Sequence, residues 1–159
     1  IFKNIDKVRG FKISMAIEAA LLIGMYFVPA GNVAAIFALV IIINIIQLAA
    51  TPLQWSMLSD IIDAEEKRSG KKLSGIVFST NLFAIKLGIA IGGALVGYML
   101  AWGDYVGGAA QQTDSALQMI KLLFTVFPGV LVALLVVIMS KYSLDDKRLS
   151  RLAQDDLPA

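Results

Sequence analysis

The sequence predicts an all-α polytopic membrane protein with four transmembrane helices. Apolar residues make up 58% of the chain, charged residues make up 16%, and the mean hydropathy is +0.77. Soluble domains are nearer 45–50% apolar, with about a quarter of their residues charged. The few charges here are bunched between long apolar runs, so they cannot form the polar shell of a soluble core. We therefore expect the apolar surface to face lipid.

Four apolar segments are long enough to cross a bilayer. A hydrocarbon core of about 30 Å requires about 20 apolar residues in a helix. A backbone in lipid must satisfy its own hydrogen bonds, and no alternating strand pattern recurs in this sequence, so helices are the expected spanning element. The predicted spans are residues 13–29, 33–58, 75–102 and 117–142, joined by 30–32, the charged stretch 59–74 and the polar stretch 103–116. We find no repeat or linker, and residues 1–159 form one unit.

The basic residues predict the direction of each span. They cluster at positions 3–12, 67–72 and 141–151, and only Lys86 and Lys121 lie elsewhere. Cytoplasmic loops are enriched in lysine and arginine. We therefore expect both termini, including the tail 143–159, and the stretch 59–74 to be cytoplasmic, with 30–32 and 103–116 outside.

The first span carries one acid, Glu18, about one third of the way along it. An acid this close to the interface costs less than one at the bilayer midplane. We expect solvent or a basic partner to reach Glu18 from the cytoplasm, and we interpret it as structural rather than functional.

The second span carries a line of polar side chains. Asn44, Gln47, Thr51 and Gln54 are spaced i, i+3, i+7 and i+10, so they share one helical face, and Trp55 follows at the cytoplasmic end. Amides, a hydroxyl and an aromatic ring suit a sugar-binding pocket. The same residues also form ordinary hydrogen bonds between membrane helices. Periodicity alone leaves both interpretations open.

The third span contains Lys86, about eleven residues from its cytoplasmic end. A charge near the bilayer centre costs roughly 2.5–3.5 kcal/mol, and such residues usually mark a substrate or ion path. The alternative is a lysine bonded to backbone carbonyls as a packing device. We favour a functional role for Lys86.

Small residues and one proline suggest details of helix packing. Gly88, Gly92, Gly93 and Gly97 form two pairs spaced four apart in the third span, a pattern that predicts close contact with another helix. In the fourth span, Pro128 followed by glycine predicts a kink.

The composition also excludes several classes of function. The chain has no cysteine and no histidine, which excludes disulfides, thiolate metal sites and the commonest general base. The basic residues flank apolar runs and form no stripe among aromatic residues, so no nucleic-acid partner is expected. We expect no enzymatic activity, no metal site and no bound cofactor.

One stretch of about fifty residues, 52–100, combines four features. They are Trp55 at a helix end, the Asp60 and Asp63 pair, the turn Ser-Gly-Lys-Lys, and the Phe-x-x-Lys-x-Gly run that contains Lys86. With these features the stretch resembles the glycoside-pentoside-hexuronide:cation symporters of the major facilitator superfamily. The tyrosine that often follows the second aspartate in the family is Ala64 here. This combination is specific, although each element alone is weak.

The resemblance implies a fold and roles for several residues. It implies that the four spans are helices nine to twelve of a twelve-helix fold and that about eight N-terminal helices of the same transporter are missing. It matches Lys86 to a lysine close to the cation and sugar sites. It also matches Asp60, Asp63 and Glu66 to the acidic residues of a cytoplasmic gating loop. The implied partners are a lipid bilayer, a sugar or glycoside, and a coupling cation that is Na⁺, Li⁺ or H⁺.

The expected activity is therefore cation-coupled sugar symport in a bacterial inner membrane, and we expect this chain to be an incomplete C-terminal part. Its first residue is Ile1 rather than methionine, which we interpret as the interior of a longer reading frame. The alternative is a self-contained four-helix protein that oligomerises through its glycines as a pore or an assembly protein. Upstream coding sequence for about eight more spans would distinguish the two.

The topology can be tested with single cysteines at Ser69 and Gln111. In intact cells, we expect an impermeant thiol reagent to label Gln111→Cys and to leave Ser69→Cys unlabelled, because the basic cluster around position 69 is expected to be cytoplasmic. Permeabilised cells, in which both sites should react, are the control. The reverse labelling pattern would overturn the topology.

Overall fold

The computed structural model describes residues 7–140, and this part of the chain is built from helices without a strand. The helices are α1 Lys7–Met25, α2 Val33–Ser69, α3 Ser74–Trp102, α4 Asp114–Phe124 and α5 Val126–Ser140. The all-α fold class predicted from the sequence is confirmed. The predictions for residues 1–6 and 141–159, including the cytoplasmic tail, concern residues that lie outside the described range.

Three helical stretches in the described range are long and apolar enough to cross a membrane. They are α2, α3 and the stretch Asp114–Ser140, which joins α4 to α5. Helix α1 is 19 residues long and carries four charged residues, Lys7, Arg9, Lys12 and Glu18, and it is not among the three. That α1 also crosses the membrane stays a prediction.

Local hydrogen bonds explain where α2 and α4 begin and where α2 ends. The Asn32 side chain accepts a hydrogen bond from the Ala35 amide at 3.2 Å, and the Thr113 hydroxyl accepts one from the Ala116 amide at 3.1 Å. Both are standard N-caps that satisfy helix amides without an internal partner. Gly70 ends α2 with a φ of 65°, which glycine adopts at little cost, and its amide donates to the Glu66 carbonyl at 2.9 Å.

Helix α2 is longer than predicted. We expected a charged connection over 59–74, but the helix continues to Ser69, and the connection is limited to residues 70–73. At 37 residues the helix is about 55 Å long, which exceeds the bilayer core. Good helix formers, basic residues in the last turn and the Glu65–Arg68 pair at 2.7 Å favour helix here. Low hydropathy therefore indicated the end of the apolar segment, not the end of the helix.

The predicted interruption of the fourth span is present. Helix α4 ends at Phe124, α5 begins at Val126, and Thr125 has non-helical φ and ψ of −123° and −74°. The break lies three residues before Pro128, which has no amide to donate to the Phe124 carbonyl. The Thr125 hydroxyl donates to the Lys121 carbonyl at 2.6 Å and thereby satisfies one acceptor beside the break.

The packed part of the structure is α1 held between α2 and α5. Phe11 and Met15 from α1 contact Ala50 of α2, which is 1% exposed. Leu53 and Met57 of α2 and Val132, Val136 and Met139 of α5 pack around this cluster. These contacts fix the relative positions of the three helices that form the groove described below.

Gly129 lies at a close contact between α5 and α1. A Cβ built at Gly129 would lie 2.7 Å from Ile23 Cγ1 and 3.3 Å from the Ile23 backbone nitrogen. The predicted glycine contacts of α3 are absent among the described residues, since no described atom outside its own helix lies within 4 Å of a Cβ built at Gly88, Gly92, Gly93 or Gly97. In α3 no residue is buried.

Helix α3 is attached to the rest of the structure near its two ends. At its N-terminal end, Phe78 of α3 stacks on Trp55 of α2 with ring centroids 6.3 Å apart and planes inclined by 21°. At the other end, a Cβ built at Gly103 would lie 2.7 Å from Met119 Cβ of α4. The long middle part of α3 is therefore left open to further contacts.

Gly129→Ala should destabilise the complete protein by about 1–3 kcal/mol, because the added methyl group overpacks the contact with Ile23. The measurement is thermal unfolding of the purified protein in detergent. Gly24→Ala is the matched control, since its added methyl group meets no described atom within 4 Å and alanine favours helix. Equal melting temperatures for Gly129→Ala and the parent protein would contradict this packing.

Candidate functional site

A groove of about 460 Å³ lies between α1, α2 and α5, and α3 contributes one residue to it. Its floor is apolar and includes Phe11, Met15 and Ala50 from the packed cluster. Its polar lining consists of Glu18, Gln47, Thr51, Gln54 and Asn81, beside the indole of Trp55. An apolar groove with a few convergent polar groups is the usual form of a small-molecule site.

The polar face predicted on α2 is largely in this groove. Gln47, Thr51, Gln54 and Trp55 all line it. Asn44 is exposed on the same helix but is not among the lining residues, and its Nδ2 donates to the Val40 carbonyl at 2.8 Å. The structure therefore brings together four of the five residues predicted to bind substrate.

These side chains can serve a ligand that carries hydroxyl groups. The Thr51 hydroxyl donates to the Gln47 carbonyl at 2.9 Å, so its oxygen remains able to accept from a ligand. The amides of Gln47 and Gln54 each offer both donors and an acceptor. Trp55 is 38% exposed although one face of its ring stacks on Phe78. The groove thus combines hydrogen-bonding groups with an aromatic surface.

Glu18 is buried, contrary to the expectation that solvent or a basic partner reaches it. Its relative exposure is 5%, and its Oε2 atom has no hydrogen-bond partner among the described residues. The expectation was wrong because the sequence predicts how far along α1 the residue Glu18 lies, but not which side of α1 faces α2 and α5. That side is determined by packing. A buried polar atom without a partner is costly, which makes Glu18 a candidate for contact with a ligand.

Asn81 of α3 was not identified from the sequence. It lines the groove and is partly buried. The sequence feature that could have identified Asn81 is an amide side chain within an apolar span, five residues before Lys86.

Lys86 does not line the groove. It is exposed on α3, and within residues 7–140 it forms no ion pair and no hydrogen bond. The other lysine in an apolar stretch is compensated, because Lys121 Nζ lies 4.8 Å from the centroid of the Tyr26 ring. A cation over an aromatic face is stabilised by the ring quadrupole. The structure leaves Lys86 without an equivalent contact in its described part.

The three acids predicted for a gating loop lie on the last turns of α2. Asp60 Oδ2 accepts from Lys7 Nζ of α1 at 2.6 Å. Glu66 Oε1 accepts from the backbone amides of Leu73 and Ser74, each at 2.7 Å, and so caps the start of α3. Asp63 is exposed. Asp60 and Glu66 thus connect the end of α2 to α1 and to α3.

The hydrogen bonds to Glu66 also affect its ionisation. The Ser74 amide, followed by the Leu73 amide, lowers the pKa of Glu66, whose side chain lies beyond the apolar segment 33–58. The Arg68 guanidinium lowers the pKa of Glu65 in the same turn. Hydrogen bonds to a charged carboxylate favour its ionised form. Both side chains are therefore held as carboxylates at neutral pH.

Within residues 7–140 no group of three His, Cys, Asp or Glu side chains could hold a metal ion. A coupling cation would be a transported species rather than a resident cofactor, and the described acids do not by themselves form its site.

Comparison with known proteins shows the family. Residues 1–146 match the family model described as MFS/sugar transport protein. The chain is 42% identical over 149 residues to the putative glycoside/cation symporter YagG of Escherichia coli K12, a match covering 94% of this chain and 32% of YagG. It is 38% identical over 136 residues to the inner membrane symporter YicJ of the same organism, covering 86% of this chain and 30% of YicJ. No solved structure matches.

The chain spans about a third of the length of these relatives. Their names describe transporters rather than enzymes, and the apolar helices agree with a multi-pass membrane protein. The family match, these relatives and the motifs between Trp55 and Lys86 lead to one assignment. The chain belongs to the glycoside-pentoside-hexuronide:cation symporter family of the major facilitator superfamily.

Proposed function

We propose that the complete protein uses a Na⁺, Li⁺ or H⁺ gradient to drive uptake of a sugar or glycoside by alternating access. In this proposal the chain is the C-terminal third of the transporter and contributes helices nine to twelve. The observation that supports it most directly is the groove, where Gln47, Thr51, Gln54 and Trp55 converge in a chain whose relatives are named symporters.

The α2 face supplies one wall of the sugar site. Sugar hydroxyls exchange hydrogen bonds with the amides of Gln47 and Gln54 and donate to the Thr51 oxygen, while the Trp55 ring covers an apolar face of the sugar. Asn44, whose Nδ2 already donates to Val40, keeps its carbonyl oxygen available as an acceptor. The opposite wall comes from the part of the transporter outside this chain, since the groove is open on one side.

Lys86 links the sugar site to the coupling cation. It lies five residues after the groove residue Asn81 on α3, and its ammonium group has no partner within residues 7–140. Holding that charge in an apolar segment costs roughly 2.5–3.5 kcal/mol unless a partner compensates it. The compensation comes from carboxylates in the remainder of the transporter, and changes in cation occupancy alter that pairing.

The cytoplasmic end of the bundle acts as a gate. The Lys7–Asp60 pair ties α1 to α2, and the Glu66 cap ties α2 to α3. Asp63, exposed one turn after Asp60, is available to pair with basic groups of a neighbouring helix when the gate changes state. When such pairs form they connect α1, α2 and α3, and when they break they release these helices, so the three helices change position in concert. The protein resides in a bacterial inner membrane with both termini cytoplasmic.

Lys86→Ala in the complete transporter should abolish cation-stimulated sugar accumulation while the protein still inserts in the membrane. Lys86→Arg should restore only part of it, because a planar guanidinium fills the site differently from an ammonium. Accumulation of labelled sugars in proteoliposomes, with and without a Na⁺, Li⁺ or proton gradient, measures both variants and tests whether the parent protein is a symporter.

Lys121→Ala is the matched control for Lys86, since it removes a lysine from the other apolar stretch and, among the described residues, removes its contact with Tyr26. We expect it to retain coupled uptake. Normal coupled uptake by Lys86→Ala would show that Lys86 is a packing residue, for which removal of a charge is tolerated. Absence of gradient-driven uptake by the parent protein would contradict symport itself.

The gate can be tested by exchanging the charges of the Lys7–Asp60 pair. Asp60→Lys alone should slow transport at least about tenfold, because it faces Lys7 with a like charge. Lys7→Asp combined with Asp60→Lys should recover most of the rate. The measurement is the initial rate of uptake per amount of protein in the membrane. A double variant as slow as Asp60→Lys would show that this pair does not operate the gate.

A further inference from the structure

The groove contains an ionisable group for which symport as proposed has no use. Glu18 is the one ionisable residue among the described residues that line it, and no lysine or arginine of residues 7–140 lines it. Glu18 as a whole residue is 5% exposed, and its Oε2 atom is buried and lacks a hydrogen-bond partner in the described part of the chain. It shares the groove with Gln47, Gln54 and Asn81, all neutral amides.

A carboxyl in this position can be satisfied by a ligand. Two hydroxyl groups of a sugar can donate to its two oxygens, which supplies the missing partner for Oε2. A packing role would be expected to leave the carboxyl paired with a basic residue or with backbone amides, because an uncompensated buried acid is unfavourable. The geometry favours contact with a hydroxylated ligand.

We propose that Glu18 makes the groove selective for uncharged sugars and against sugars that carry a carboxylate. This inference rests on the proposed function and narrows its substrate class from sugars in general to neutral glycosides and pentosides. A neutral sugar donates hydrogen bonds from its hydroxyl groups to the carboxyl oxygens of Glu18. A uronate instead places a second carboxylate in a groove that has no described cation among its lining residues.

Two carboxylates in one poorly hydrated site cannot both ionise at little cost. A uronate therefore binds only if one of the two groups takes up a proton or if a cation enters with it, and either requirement lowers its affinity. An uncharged sugar has no such requirement. The discrimination comes from repulsion built into the site, a common way for proteins to reject a close analogue.

The experiment measures equilibrium binding to the purified complete transporter by calorimetry. The probes are methyl glucoside with methyl glucuronide and methyl galactoside with methyl galacturonide, so that the members of each pair differ only in a hydroxymethyl or carboxylate group at C6. We expect the parent protein to prefer the neutral member. Glu18→Gln should reduce that preference by about tenfold, because the amide keeps the size of the side chain and removes the like charge.

Asp104→Asn is the matched control, since it makes the same chemical change at an exposed position outside the groove whose φ of 57° asparagine tolerates. Its sugar preference should equal that of the parent protein. The melting temperature of Glu18→Gln should not fall, because the change removes a buried charge.

Three results would overturn the inference. They are an unchanged preference in Glu18→Gln, a parent protein that binds the uronates more tightly, and a Glu18→Gln protein that melts earlier and loses affinity equally for both members of a pair. If neutral sugars bind the parent protein and the Glu18→Gln preference is unchanged, this inference fails while the proposed sugar site stands. If none of the four sugars binds, the proposed sugar site fails with it.

Discussion

The close approach of α1 to both α2 and α5 is the contact on which the rest of the structure depends. Helices in lipid are not driven together by the hydrophobic effect, so they associate through close packing and polar contacts. Ala50 and Gly129 provide that closeness, because neither carries a side chain large enough to separate the helices. Phe11 and Met15 of α1 fill the space between this helix and its two neighbours, α2 and α5. Where α1, α2 and α5 do not pack directly against one another, the polar face of α2 borders a groove instead of lipid.

Helix α3 shows the opposite situation. It is 29 residues long and apolar, yet no residue of it is buried by the described part of the chain. The Trp55–Phe78 stack and the Glu66 cap hold its N-terminal end, and no described atom of another helix lies within 4 Å of a Cβ built at any of its glycines. Such a surface fits a chain that spans about a third of the length of its relatives. The small residues that predict close helix contact and Lys86 both belong to this open helix.

The features that the sequence predicted correctly are the ones that hydropathy and periodicity determine. The third span was predicted at 75–102 and helix α3 covers Ser74–Trp102, and the face from Gln47 to Gln54 lines one groove. Hydropathy could not predict that α2 continues to Ser69, because charged residues end an apolar segment without ending a helix. Nor could it predict contacts between distant segments. The Lys7–Asp60 pair joins residues 53 positions apart, and the burial of Glu18 depends on the side that α1 presents to two other helices.

Three ionisable residues interrupt the apolar stretches, and they differ in whether the described residues provide a partner for the charge. A charge in an apolar segment needs a partner, and Lys121 has one in the Tyr26 ring. Glu18 is buried beside a groove lined by amides, where Oε2 remains unpartnered among the described residues. Lys86 is exposed on α3 and unpaired within the same range. The residue whose charge is already compensated has no remaining need for a ligand. The other two require something outside the described helices to offset their desolvation, and in the proposed transport cycle a sugar and a cation are the species whose arrival and departure would change that balance.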